Sequence, residues 1–179
     1  MSCSPQVGSS CESDDETGAE ILVASEDGNH LAYSNSQANS VGFVDISDPR
    51  APEGIGQISC EGEPTSVAFA GDYVLTTINT SPNYANPSGV LYVNRFDASN
   101  MTATNQTIRK IDLGGQPDHI AISPDKVYAA IVIENERDED LGDGDIGIAA
   151  QMPAVWQSVL VGSQKCLLVG PAERERGAE

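Results

Sequence analysis

The sequence is poor in positive charge. Nine Lys and Arg stand against 27 Asp and Glu among 179 residues, a formal charge of -18, and the pI is about 4.1. No basic run is longer than Arg109-Lys110. A field of that sign repels phosphate backbones and anionic lipid headgroups, which excludes nucleic acid and acidic membranes as partners. The chain also lacks long apolar runs. None approaches the ~18 uninterrupted residues of a transmembrane helix, and the opening Met1–Cys11 has neither a basic n-region nor an apolar h-region, so as written it is not a signal peptide. Apolar residues make up only 39% of the whole, so a core has to be assembled from many short segments.

Four cysteines are present, Cys3, Cys11, Cys60 and Cys166, at spacings that match no zinc ligand set. Cys3 and Cys11 suit a short disulfide loop in an oxidising compartment; two free thiols on a polar arm is the other reading. Sequons at Asn79, Asn100 and Asn105 are candidate glycosylation sites of an exported protein.

Against this background a repeat organises the chain. Residues 1–17, in which Glu12, Asp14, Asp15 and Glu16 crowd together, are expected to be a disordered polar arm. Three segments beyond it superpose, with Leu22, Val67 and Ile120 in equivalent places at separations of 45 and 53 residues. Each begins as a short strand, a turn and a second strand. The turns carry Asp27-Gly28, Gly71-Asp72 and Pro124-Asp125, residue types that reverse the chain through φ > 0 or a preset φ. Alternation in Val67-Ala-Phe-Ala70 and Ile120-Ala-Ile-Ser123 sends every second side chain to one face. Third strands follow at 41–46 and 89–96, and fourth strands at 54–59 and 107–113.

Four antiparallel strands returning in the same order at this period predict a β-propeller blade. A β-sandwich also has strands at such spacing but does not require an ordered repeat. The expected fold is all-β: a partial β-propeller of two to three four-stranded blades, over 18–62, 63–115 and 116–153, with the ring incomplete. Propellers have about 4–8 blades, so the ring needs further blades of a longer chain or another chain.

The segments Gly18-Ala-Glu-Ile21, Asn39-Ser-Val-Gly-Phe-Val-Asp-Ile-Ser-Asp-Pro49, Gly62-Glu-Pro-Thr-Ser-Val67, Gly115-Gln-Pro-Asp-His-Ile-Ala-Ile-Ser-Pro-Asp125 and Ile133-Glu-Asn-Glu-Arg-Asp-Glu-Asp-Leu-Gly-Asp-Gly144 carry a resemblance. They resemble the N-terminal, LVIVD-like propeller portion of secreted proteins of the esterase-like phytase and alkaline phosphatase kind, and their choice-of-anchor I relatives. The resemblance implies an extracellular or cell-surface protein related to phosphoester hydrolases, with an extracellular ligand or the remaining blades as partner. The phytase-like region of such proteins lies further toward the C-terminus, and the expectation is that these 179 residues do not include it. Residues 154–179 depart from the pattern, and the expectation is an atypical, poorly ordered tail such as a truncated or frame-shifted reading frame produces.

Among side chains with chemistry to offer, the acidic segment stands out. Glu134, Glu136, Asp138, Glu139, Asp140, Asp143 and Asp145 fall within twelve residues, with Gly142 and Gly144 allowing the backbone to wrap a hard cation. Ca²⁺ takes six to eight oxygens from such loops, which makes Glu134, Glu136, Asp138, Asp140, Asp143 and Asp145 the candidate ligands. The spacing is not that of an EF-hand, and a solvated acidic loop partly neutralised by Arg137 is the competing reading. His30 follows a turn, where a surface role is expected. His119 and Asp118 are adjacent in a strand and should point to opposite faces. No Gly-x-Ser-x-Gly elbow and no phosphate-cradling Gly-x4-Gly-Lys loop occurs. Hydrolysis by this chain is not expected; a scaffold or a non-catalytic binding module is.

Overall fold

Alternating apolar residues punctuated by Asp, Gly and Asn produce strands joined by tight turns, and the computed structural model, which describes residues 18–99, 107–134 and 157–160, contains only β-structure among them. The first sheet is formed by β1 (Ala19–Ala24), β2 (His30–Asn35), β3 (Ser40–Asp45) and β4 (Glu53–Ser59), each strand pairing with the next in sequence. The second repeats that order with β5 (Glu63–Ala70), β6 (Tyr73–Asn79), β7 (Gly89–Arg95) and β8 (Thr107–Asp112). The third has β9 (Pro117–Ile122), β10 (Tyr128–Ile133) and β11 (Gln157–Leu160). All pairings are antiparallel. Consecutive up-and-down sheets of this kind are the blades of a propeller, and here they form an open series.

The predicted strands recur in place, including the fourth strands β4 and β8. β11 lies in the stretch expected to be an atypical tail: Gln157–Leu160 pairs along β10, from Tyr128↔Leu160 to Ile131↔Gln157.

Sheet stacking follows from the period-two alternation of strands. In the second sheet Val67 and Val74 join Ala32, Val41, Phe43 and Ile58 in a buried cluster against the first sheet. Their neighbours Ala68, Ala70, Leu75 and Leu91 point the other way, where with Leu113 they meet Ile120, Ala129, Ile131 and Ile133 of the third sheet. The middle sheet is therefore buried on both faces, and β5 and β6 read as nearly continuous apolar runs for that reason. The third sheet is buried on one face only, whereas β2 and β3 of the first also bury Tyr33 and Gly42 on the face away from the second. In β10, Ala129, Ile131 and Ile133 are buried while Tyr128 and Ala130 are exposed; on β1, Leu22 is exposed.

Polar ties reinforce the second seam. Ser66 is fully buried; its Oγ accepts the N–H of Ile120 at 3.3 Å and lies 3.5 Å from His119 Nδ1. A buried hydroxyl requires such partners, since an unpaired one costs about 1–3 kcal/mol. His119 thus bridges two sheets in this structure. Cys60 follows β4, and burial pushes its thiol up to about 12, which keeps it protonated and unreactive at neutral pH.

Candidate functional site

The first turn of each sheet lies at the same end of the fold, and two of the three are copies. In Ser25-Glu26-Asp27-Gly28, the Ser25 hydroxyl donates to Asp27 Oδ1 at 2.5 Å, the Asn29 N–H donates to the same oxygen at 3.0 Å, and the His30 N–H donates to Ser25 Oγ at 2.9 Å. In Ser123-Pro124-Asp125-Lys126, Ser123 donates to Asp125 Oδ1 at 2.6 Å, Val127 donates to it at 3.1 Å, and Tyr128 donates to Ser123 Oγ at 2.9 Å. The fourth position needs a left-handed backbone, with φ of 72° at Gly28 and 57° at Lys126. The second sheet has only the two-residue turn Gly71-Asp72, with Gly71 at φ 60°. Lys126 Nζ reaches across and forms an ion pair with Glu26 of the first turn.

At this end the seam between the first two sheets opens into a cleft of about 840 Å³, within the ~300–1,000 Å³ of small-molecule sites. Phe96, just after β7, builds its floor. The Phe96 N–H donates to the Asp72 carbonyl at 2.9 Å. Its ring meets Phe69 edge-to-face (5.1 Å, 89°) and His30 (5.1 Å, 69°), and rests on Phe43 at 6.1 Å. Arg95, Asp97, Ile108, Ser25, Glu26, Asp27 and Asp72 line the rest of the cleft.

His30 departs from its expected surface role. Its side chain is only 13% exposed, because Phe96, 66 positions later in the sequence, packs on it. The buried Nδ1 makes no hydrogen bond and lies 3.8 Å from Asp27 Oδ1.

The rim is acidic and fixed in place. The Ser25 hydroxyl, then the Asn29 amide, lower the Asp27 carboxyl from its ordinary 3.8 to about 2. Ser99 lowers Asp97 in the same way through its hydroxyl and its N–H, with Arg95 adding a smaller push. A carboxyl depressed in the folded state contributes stability above its unfolded value, and that contribution is lost as pH falls through the folded value. Asp27→Asn is therefore expected to flatten the acid side of a melting-temperature profile between pH 3.8 and about 2. A profile as steep as the native one would show that Asp27 carries none of this dependence.

Of the acidic segment predicted as a calcium site, Glu134 is exposed directly after β10, where its N–H donates to the Gln116 carbonyl at 2.9 Å. Glu136, Asp138, Asp140, Asp143 and Asp145 lie outside the described residues. Glu134 is at the opposite end of the sheets from the cleft, on the side where Pro117 approaches Gly89. Among the described residues, no group of three or more His, Cys, Asp and Glu side chains is placed to hold a metal ion. The sequon residue Asn79 ends β6, and its Oδ1 accepts the Ser81 N–H at 2.9 Å; Asn100 and Asn105 lie outside the described residues.

Sequence reasoning missed the cleft. Its residues come from turns and strand ends of two repeats, and the available signal was the Asp in every first turn, at 27, 72 and 125. Stacked meander sheets with an inter-sheet cleft define an open, propeller-type β module. The chain belongs to the choice-of-anchor I family, whose domain matches residues 20–150.

Two solved structures show the same fold. The Kuenenia stuttgartiensis hydrazine synthase is similar with a TM-score of 0.56 and 15% identity, over 79% of this chain and 34% of that one. A functionally unknown protein from Desulfotomaculum acetoxidans DSM 771 has a TM-score of 0.52 and 11% identity, over 89% of this chain and 41% of that one. The chain thus spans roughly a third to two-fifths of the length of these structures. No curated protein matches it. Among the described residues, no helix is long and apolar enough to cross a membrane.

Proposed function

We propose that this chain is a non-catalytic scaffold and binding module of a cell-surface or extracellular choice-of-anchor I protein. The observation that carries this reading is the one-sided burial of the third sheet. The middle sheet is covered on both faces, whereas Tyr128 and Leu22 remain 44% and 60% exposed on the outer sheets. Such faces suit a blade series that other blades continue, because a propeller blade buries both sides of its sheet. The family match supports a surface location. The resemblance to esterase-like phytases supports a parent related to phosphoester hydrolases, with this portion supplying framework and not turnover.

The inter-sheet cleft supports the binding role. The experiment is to assay the 179-residue chain with 4-nitrophenyl phosphate and 4-nitrophenyl acetate, with and without calcium. No turnover is expected, and calcium-dependent turnover would overturn the scaffold reading.

Calcium binding by Glu134, Glu136, Asp138, Asp140, Asp143 and Asp145 belongs to the same proposal. Carboxylates this dense repel one another unless a cation or solvent intervenes. Addition of Ca²⁺ is expected to raise the melting temperature, and the triple variant Asp138→Asn, Asp140→Asn, Asp143→Asn to abolish the rise. A shift that survives the triple substitution would exclude this segment as the site.

A further inference from the structure

The cleft has a composition that scaffolding does not require. Half-buried Phe69 and Phe96 present an aromatic floor beside His30, and the rim places Asp27, Asp72 and Asp97 around it. Asp27 and Asp97 are held ionised by hydrogen bonds from their own turns. Those bonds occupy Asp27 Oδ1 and Oδ2 and Asp97 Oδ1, so these carboxylates act on a ligand mainly through charge, in positions set before it arrives. Among the described residues, Arg95 is the one cation lining the cleft; against it stand Asp27, Asp72 and Asp97, with Glu26 paired to Lys126, so the lining carries excess negative charge.

Two observations decide what kind of cation fits. The described residues do not supply a ligand set for a metal ion. An organic ammonium needs no such set: it needs carboxylates at ion-pair range and an aromatic face, whose quadrupole attracts it. The chain also displays this chemistry on its own rim, where the ammonium of Lys126 pairs with Glu26.

We propose that the cleft between the first two sheets binds a small alkylammonium ligand, its apolar body over Phe69 and Phe96 and its charge toward Asp27 and Asp72. This names the ligand class within the binding-module reading and rests on it. It is independent of the calcium segment, which begins at the other end of the sheets.

The test follows the ring resonances of His30 and Phe96 by NMR as n-butylammonium chloride is added, with sodium chloride holding ionic strength constant. Saturable shifts are expected, with Asp72→Asn and Phe96→Leu each weakening binding about threefold or more. Methyl resonances of Ile131 and Leu91, in the other seam, report whether each variant keeps its fold. Asp72 sits on an exposed turn, so that variant remains informative if Phe96→Leu fails to fold. Linear shifts that sodium reproduces, or an Asp72→Asn protein that binds as tightly as the native chain, would overturn the proposal. Turnover in the ester assays would overturn the non-catalytic reading and leave these shifts unaffected, so the two failures are distinguishable.

Discussion

Phe43→Ala is expected to lower the free energy of unfolding by about 3–5 kcal/mol, the range for truncating a buried phenylalanine. Phe43 is completely buried, and its cross-strand neighbours are Ala32 on one side and Gly56 on the other. Neither can swell into the space the ring leaves, so the cavity persists and the cost lies toward the upper end of the range. The loss should also be local. The two inter-sheet clusters share no buried residue, and stacked repeats are stabilised largely by nearest-neighbour interfaces. Urea unfolding followed by far-ultraviolet circular dichroism gives the magnitude, and hydrogen exchange gives the distribution. Amides of β2 and β3 are expected to lose protection before those of β9 and β10. Equal loss in both regions, or a cost below about 1 kcal/mol, would show that the seams do not act separately. Because Phe96 rests on Phe43, the same substitution should loosen the cleft floor and weaken alkylammonium binding.

Gly89→Ala is expected to cost about 2–3 kcal/mol through overpacking. A Cβ at this position would lie 2.2 Å from Pro117 Cδ, 2.7 Å from the Gly115 carbonyl oxygen and 2.9 Å from the Ile78 carbonyl oxygen. Two of these atoms are backbone and the third belongs to a proline ring, so none can rotate away, and β7 has to part from the start of the third sheet. Gly42 provides the contrast. There the atoms nearest the new methyl all belong to the ring of Tyr33, a buried side chain that gives more readily than backbone, and Gly42→Ala should be the milder change in the same urea series. If the two substitutions cost the same, close approach of backbone at Gly89 is not what selects glycine.

Strands and turns were legible in the sequence because their determinants are local. The alternation of Val67-Ala-Phe-Ala70 records two buried faces, Gly28 and Gly71 record φ > 0, and Asp27 and Asp125 record side-chain capping. Their recurrence in one order pointed to stacked meanders, which the structure contains. β11 was not legible: Gln157–Leu160 is four residues long, and its partner β10 ended 24 positions before it began. The burial of His30 was not legible either, since it depends on Phe96 arriving from the neighbouring sheet.

The sequence by itself determined an acidic, all-β repeat protein and marked the reversal point of each unit, because strand period and turn chemistry act over a few residues. Only the tertiary structure decided which faces are covered and where a ligand-sized cleft opens. Both depend on residues of different repeats meeting across a seam: Asp27 and His30 belong to one sheet, Phe69, Asp72 and Phe96 to the next, and stacking alone places them around one space.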